Sequence, residues 1–310
     1  MNDNNRKMMG GNFALLLAAF IWGTSFVAQD VGKDYVEAFT YNGIRMLMGA
    51  CVLLPVILAM QIKKRKTDTR TPEQKKKDNF VQLKSGVICG VILFCASNLQ
   101  QFAFYYIPSE EGASGKIGFI TALYMLLVPI FGLFLKQKQR ALVWFAVIMG
   151  CVGAYLLCVD SAMTIGLGEI LALGCAVFFA LHILYIDSVS AKVDGVILSC
   201  SQFVVVGVLS IIFMLIFETP QVSNIKAAMV PMLYSGVMSS GIAYTLQIIG
   251  QKHTKPAVAS LLMCLESVFA VLAGWVVLHE ELTGRELLGC LVMFVAIILT
   301  NLPEKKGKKA

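Results

Sequence analysis

A single carboxylate, Glu266, lies in the middle of a long apolar run, 257–278. A charge at the centre of a membrane helix costs about 2.5–3.5 kcal/mol on insertion scales, so such residues face a protein interior or a water-filled cavity. There Glu266 could hold the amine of a bound solute or carry a coupling proton. The structural alternatives are that it caps a broken helix or pairs with His182, which lies inside another apolar run.

Arg45 is a cation set at least one turn inside the apolar run 38–61. Its planar guanidinium could bind the carboxylate of a solute through two parallel hydrogen bonds. It could equally extend toward the membrane surface, or pair with Asp34 or Glu37. The sequence leaves these alternatives open.

Uncharged polar and aromatic residues complete the set of candidate site residues. Gln101 and Gln247 each lie thirteen residues before a serine, Ser114 and Ser260. The two glutamines thus occupy equivalent positions in the two halves of the chain. They could face one central cavity, or alternatively form hydrogen bonds between helices. A lone histidine such as His182 is more often satisfied by its neighbours than used as a ligand, but it is kept as a candidate. Aromatic side chains can wall a pocket for a small molecule, although packing is their commoner role. The aromatic candidates are Trp22, Tyr41, Tyr124 and Tyr244.

These residues stand out because the rest of the chain is strongly apolar. Its 310 residues are 57% hydrophobic and only 15% charged, whereas globular chains average about 25% charged. The charges fall in short connections between apolar runs, which indicates an all-α integral membrane protein. The net charge of +7 comes from clusters beside the predicted membrane ends. Anionic lipid head groups are therefore the expected neighbours of these clusters, and no nucleic-acid partner is needed.

Several chemistries find no support in the sequence. The nine cysteines all fall inside apolar runs and form no CxxC pair, and the three histidines are scattered. This argues against a disulfide framework or a metal site. No phosphate loop, HExxH or GxSxG motif is present, so we expect no enzyme, no cofactor and no ATP-driven pump.

Ten apolar runs are about long enough to cross a hydrocarbon core of roughly 30 Å as helices. Most connections are short, so neighbouring helices should be antiparallel. The connection 61–80 is the exception, and its hydrophilic residues predict a mobile tether. The predicted spans are 12–29, 38–61, 82–104, 113–135, 141–158, 168–188, 195–217, 229–250, 257–278 and 286–302.

The connections alternate in charge. Basic residues dominate 63–80, 136–140, 252–255 and 305–309, whereas acidic residues mark the intervening connections. Under the positive-inside rule, this predicts a multi-pass protein of the cell membrane with both termini in the cytoplasm. If the number of spans were wrong by one, basic and acidic connections would no longer alternate between the two sides of the membrane. The acidic residues include Glu110, Glu111, Glu218, Glu280 and Glu281.

The chain also contains a weak internal repeat. AAFIWGTSFV in span 1 matches CAVFFALHIL in span 6, and MGCVGAYLL at 149–157 matches LGCLVMFVAII at 288–298. With the matched glutamines, these similarities occur in the same order, which predicts two five-helix repeats, 1–158 and 159–310. An odd number of spans per repeat requires the second repeat to be inverted in the membrane, an architecture of many secondary transporters.

The sequence resembles the EamA-type members of the drug/metabolite transporter superfamily, which carry two five-helix repeats. The resemblance covers essentially the whole chain. It rests on AAFIWGTSFV, on ITALYMLLVPIFGLFL at 120–135, and on LESVFAVLAGWVVLHEELTGRELLGCLV at 265–292. Two features depart from the family pattern. Ser267 stands where proline is usual, which removes the usual cause of a kink there, and KQKQR at 136–140 replaces a turn that commonly carries glutamate.

The resemblance implies transport of a small metabolite, often an amino acid or a related solute, mostly outward. We therefore expect a secondary-active exporter that works by alternating access between its two repeats. A proton gradient or the gradient of the substrate itself would supply the energy. The alternative is an integral-membrane sensor or binding subunit that does not transport.

Overall fold

A computed structural model of the protein describes residues 3–65, 68–107, 113–158, 165–273, 275 and 283–300. Within these ranges all regular secondary structure is helical. In lipid a backbone must satisfy its own hydrogen bonds, which a helix does within a single segment. The helices are α1 (Asp3–Lys33), α2 (Ala38–Arg65), α3 (Pro72–Tyr106), α4 (Ala113–Ala122), α5 (Tyr124–Phe134), α6 (Ala141–Cys158), α7 (Leu167–Val189), α8 (Gly195–Phe217), α9 (Val222–Ala227), α10 (Met229–Tyr234), a π-helix (Ser235–Tyr244), α11 (Thr245–Gln251), α12 (Pro256–Met263), α13 (Glu266–Ala273) and α14 (Gly284–Thr300).

The described helices confirm the membrane class. Seven helical stretches are long and apolar enough to cross a membrane, and Ala141–Leu157 is a shorter apolar helix. The remaining two predicted spans coincide with the helical stretch 229–251 and with α14. The ten-crossing count itself stays a prediction. The seven stretches are Arg6–Lys33, Ala38–Lys64, Pro72–Tyr106, Lys116–Phe134, Leu167–Val189, Gly195–Phe217 and Pro256–Ala273.

The connection that was expected to be a mobile tether is largely helical. Helix α2 continues to Arg65, and α3 begins at Pro72. Thr71 caps α3, because its hydroxyl accepts from the Gln74 backbone N–H at 3.3 Å while the Gln74 side chain accepts from the Thr71 N–H at 3.0 Å. This reciprocal cap, followed by proline at the first helical position, is a strong helix start.

Ion pairs hold the same segment together. Arg70 donates to Asp68 at 2.8 Å and to Asp78 at 2.7 Å. The hydrogen bonds from Arg70 hold the pKa of Asp68 well below its usual range. The hydrophilic composition of this segment therefore did not reveal its helical structure, which includes a capped helix start at Thr71.

The two halves of the chain are interleaved and do not form two separate bundles. Helix α2 packs along α8, α3 packs along α7 and α8, and α6 packs along α14. Helix α1 packs on α11, α12, α13 and the π-helix. Each of these pairings joins a helix of the first half to one of the second, so the core of the molecule lies between the halves.

Helices α6 and α14 approach each other closely at a pair of glycines. A Cβ atom on Gly153 would meet the carbonyl oxygen of Gly289 at 2.9 Å, and one on Gly289 would meet that of Gly153 at 2.7 Å. Small residues allow this kind of backbone approach between membrane helices.

Some residues used in the topology prediction lie outside the described residues. They are Glu110, Glu111, Glu280, Glu281 and the basic segment 305–309.

Candidate functional site

Two helical stretches are interrupted near the centre of the bundle. One is interrupted at Leu123, between α4 and α5, and the other at Cys264 and Leu265, between α12 and α13. A helix that resumes after a break presents backbone N–H groups and a partial positive charge at its new N-terminus. Glu266 is the first residue of α13, which is a favourable position for a carboxylate. The break occurs although serine, and not proline, follows Glu266.

The two breaks meet through a hydrogen bond. Tyr124 is the first residue of α5, and its hydroxyl donates to the Glu266 carboxylate (Oε1) at 3.1 Å. The Glu266 side chain is buried, with only 5% of the residue exposed. Among the described residues Glu266 forms no salt bridge. The alternative pairing with His182 does not occur, because the His182 ring lies 3.0 Å from the side-chain oxygen of Gln202.

A central cavity of about 40 Å³ lies beside this hydrogen bond. This volume admits a few water-sized molecules, since one water needs about 10–15 Å³ measured in this way. Six of the nine predicted site residues line it: Trp22, Arg45, Tyr124, Tyr244, Gln247 and Glu266. The other lining residues are Phe26, Gln29, Gln100, Thr121, Phe179, Ile183, Ser239 and Met263.

Arg45 brings a buried cation to the same cavity. It is 2% exposed, its Nε donates to Asn42 Oδ1 at 2.7 Å, and its guanidinium carbon lies 5.6 Å from the centre of the Tyr41 ring. It pairs with neither of the acids proposed as alternative partners, and the described residues give it no salt bridge. The cavity thus combines one guanidinium and one carboxyl group that are not paired with opposite protein charges.

The cavity wall also carries unused hydrogen-bonding atoms. Trp22 Nε1, Gln29 Oε1 and Gln247 Oε1 are buried without a hydrogen-bond partner, and all three residues line the cavity. Buried polar atoms are nearly always paired in native proteins. One donor and two acceptors are therefore available to a molecule in the cavity.

Three predicted site residues do not line the cavity. Gln101 donates to the Gln29 carbonyl oxygen at 3.4 Å, and the Tyr41 hydroxyl lies 2.7 Å from that of Ser235. His182 is engaged with Gln202, as described above. The physical reason is rotation about the helix, because adjacent residues differ by about 100°. Gln100 and Ile183 line the cavity, while their neighbours Gln101 and His182 face other helices.

Four polar wall residues were not among the site residues predicted from the sequence: Gln29, Gln100, Thr121 and Ser239. Gln29 was hidden at the end of the first predicted span. Gln100 and Asn98 lie two residues apart in span 3, about 200° apart around a helix, so they face different directions. Gln100 donates to Thr121 at 3.4 Å, while Asn98 bonds to Asn42 at 3.0 Å. The sequence signal for each of these residues was a polar side chain within an apolar run. The sequence did not indicate which residue would be its hydrogen-bond partner.

The π-helix forms another part of the wall. It contributes Ser239 and Tyr244, and the Tyr244 ring lies 4.9 Å from that of Trp22. π-helical turns are rare and frequently occur at functional sites. Small residues accommodate this one, since a Cβ on Gly236 would meet the Arg45 carbonyl oxygen at 3.0 Å.

Comparisons with known proteins show the family of the chain. The EamA-like transporter family matches residues 9–159 and, a second time, residues 166–302. The chain belongs to the EamA-like transporter family. The family domain therefore occurs twice in this EamA-like protein, and transport is the activity to which its membership points.

Related proteins match over nearly the whole length. An uncharacterized transporter of Archaeoglobus fulgidus is 26% identical over 96% of this chain and 87% of its own length. The uncharacterized transporter YvbV of Bacillus subtilis is 27% identical over 96% of this chain and 94% of its own. A solved crystal structure superposes with a TM-score of 0.74 at 19% identity, over 94% of this chain and 96% of that one, which shows a shared fold.

Proposed function

We propose that this EamA-like protein is a secondary-active exporter of a small zwitterionic solute such as an amino acid. The observation that carries the proposal is the central cavity, where Glu266 and Arg45 line the same space without an opposing protein charge. A buried charge is stabilised by pairing. A solute that carries both an ammonium and a carboxylate would pair with both residues at once, in a cavity that widens from its present volume of about 40 Å³.

The wall suits the rest of such a solute. The carboxylate of the solute would pair with the guanidinium of Arg45. Its ammonium would pair with the Glu266 carboxylate and displace the Tyr124 hydroxyl from it. Aromatic rings at Trp22, Phe179 and Tyr244 supply apolar surface for a side chain. The unpartnered atoms of the wall would add hydrogen bonds that fix its orientation.

The packing of the helices supports alternating access between two inverted repeats. Under a five-plus-five duplication, α1 corresponds to α7, and α3 corresponds to the stretch that ends in α11. The contact of α1 with α11 then maps onto the contact of α3 with α7, while α2–α8 and α6–α14 map onto themselves. Such a pseudo-symmetric arrangement can exchange an inward-open and an outward-open shape by swapping the conformations of the repeats.

Glu266 is also the residue through which a proton gradient could drive transport. It is the only carboxylate among the residues that line the central cavity. A carboxyl that binds either a proton or the ammonium of the solute couples their movements in opposite directions. The outward direction of solute movement rests on the family resemblance.

Uptake into proteoliposomes tests the proposal. Purified protein is offered a pooled mixture of radiolabelled amino acids and related solutes, with and without an imposed pH gradient. Glu266→Gln is compared with wild type and with Glu73→Gln, a matched change at an exposed residue in the first turn of α3. We expect wild type and Glu73→Gln to accumulate one class of solute, and Glu266→Gln to lose gradient-driven uptake. Equal uptake by all three would rule out the role of Glu266. No uptake by folded protein would favour a sensor or binding subunit.

A further inference from the structure

A second cavity, of about 430 Å³, lies away from the central one and shares no lining residue with it. It is formed where α5, α7 and α11 end and where α12 begins. The turns at 137–139 and 251–256 supply most of its wall, and Asp187 of α7 completes it. A ligand could bind in this cavity whether or not the protein has the transport activity proposed above.

The floor of this cavity offers hydrogen-bond acceptors. Gln251 is 2% exposed; its amide nitrogen donates to the Ile183 carbonyl oxygen at 3.0 Å, while its Oε1 is buried without a partner. Asp187 lines the same cavity and accepts a 3.4 Å hydrogen bond from Gln137. A group that brings several N–H donors, such as a primary ammonium, would satisfy both acceptors.

The rim of the cavity has the opposite character. Lys138, Lys252 and Lys255 are exposed there. Helix α12 begins at Pro256, and its N-cap residue Lys255 provides no side-chain cap, so the positive end of the helix is uncapped by protein. Lysines and an uncapped helix N-terminus both favour an anion. The cavity therefore fits a ligand with an anionic group a short distance from an ammonium.

The surface beside the cavity is apolar. The three residues before Lys136, which are Leu133, Phe134 and Leu135, are exposed, and Phe134 is the most exposed of them at 82%. The turn then places Lys136 in a left-handed conformation, with φ of 60°, and directs the chain back so that Gln137 lines the cavity. A ligand with a polar head and apolar chains would contact both surfaces.

We propose that this cavity binds the head group of a phospholipid that carries a primary amine. The lysines of the rim hold the phosphate, Asp187 and Gln251 hold the ammonium, and the acyl chains lie against the exposed end of α5. The ammonium contact predicts selectivity for ethanolamine over choline head groups, because choline carries the same charge but has no N–H donors. It also predicts preference over phosphatidylglycerol, which lacks the amine.

Native mass spectrometry of the full-length protein, released from nanodiscs with equal amounts of phosphatidylethanolamine, phosphatidylcholine and phosphatidylglycerol, measures this selectivity. We expect phosphatidylethanolamine to be retained several-fold over each of the other two. Asp187→Asn and Gln251→Leu should abolish the preference over phosphatidylcholine. Lys252→Gln should lower the retention of phosphatidylethanolamine and of phosphatidylcholine and leave the ratio of these two lipids unchanged.

A matched control is Lys226→Gln, an exposed lysine in α9 that is remote from the cavity wall. It should behave as wild type. Equal retention of the ethanolamine and choline lipids, or preferential retention of phosphatidylglycerol, would overturn the proposal. Binding of water-soluble O-phosphoethanolamine as tightly as the lipid would overturn its assignment to a membrane lipid. Because Lys252 is exposed, its variant tests the rim even if a change on the floor prevents folding.

Discussion

Tyr124 and Glu266 are joined by a 3.1 Å hydrogen bond, and each is the first residue of a helix that resumes after a break. The bond connects a helix of the first half of the chain to one of the second at the wall of the central cavity. A solute that bound to Glu266 would compete with Tyr124 for the carboxylate. Under the proposed function, the two broken helices would therefore respond to the solute that occupies the cavity.

Replacement of Tyr124 by phenylalanine removes the hydroxyl and keeps the ring, so it measures the contribution of the hydroxyl alone. Loss of a hydrogen bond to a charged group is worth about 1.5–3 kcal/mol, which corresponds to a change of about tenfold or more in an equilibrium constant. Because the solute would no longer compete with the hydroxyl for Glu266, we expect Tyr124→Phe to raise the affinity for the transported solute by about tenfold or more, measured by isothermal titration calorimetry. Tyr106→Phe, at an exposed tyrosine of α3, is the matched control. Unchanged affinity in both variants would exclude a part for the Tyr124 hydroxyl in binding.

Replacement of Arg45 by lysine tests recognition of a carboxylate. Lysine keeps the charge but loses the planar fork and the 2.7 Å bond from Nε to Asn42. An arginine-to-lysine change at a bidentate site is not conservative. Affinity for the carboxylate-bearing solute should therefore fall by about tenfold or more, whereas affinity for its amide analogue should change little. Arg6→Lys, at an exposed residue near the N-terminus, should have no effect. Equal losses for both ligands would indicate that Arg45 is structural.

Gly23 sets the distance between α1 and α13. A Cβ atom there would lie 2.5 Å from the Glu266 carbonyl oxygen and 2.8 Å from the Ala270 backbone nitrogen. Because these are backbone atoms, the helices would have to separate, and overpacking of this kind costs about 1–3 kcal/mol. We expect Gly23→Ala to lower the melting temperature in detergent and to reduce transport. Gly10→Ala in the same helix meets nothing within 4 Å and should do neither. Similar behaviour of the two variants would argue against this close contact.

Lys136 occupies a position better suited to glycine. Its φ is 60°, and the Gln137 N–H donates to the Gly132 carbonyl oxygen at 2.8 Å, which closes the end of α5. A left-handed conformation costs a residue with a side chain about 1–2 kcal/mol. Lys136→Gly should therefore raise the melting temperature, while Lys138→Gly in the same turn should not. If the two substitutions had the same effect on stability, the strain would not be specific to residue 136.

Cysteine labelling tests the predicted orientation. On a background without the native cysteines, Ser223→Cys in α9 should react with a membrane-impermeant maleimide on intact cells. Glu73→Cys in α3 should react only after permeabilisation. Both positions are exposed in the structure, so a lack of labelling would reflect the side of the membrane and not burial. The reverse pattern would invert the topology.

The sequence itself determined the membrane class and the approximate positions of the helices. Apolar length and the positions of charges are local properties of the chain, and they act on each segment separately. The same local argument indicated that Glu266 and Arg45 must lie inside the molecule, because neither is tolerated in lipid without a partner or a cavity. It did not show that connection 61–80 is mostly helical, although the cap at Thr71 was readable in its residues.

The tertiary structure decided which polar residues share the cavity. Gln100 lines it and Gln101 does not, and this difference depends on how far α3 is rotated against α1 and α7. The breaks before Tyr124 and Glu266 and the π-helix at Ser235–Tyr244 also depend on packing. No local residue preference specifies them, since Ser267 stands where a proline would otherwise explain a break. Insertion cost fixes how deep a side chain lies in the membrane, whereas contacts between distant parts of the chain fix which neighbours it meets.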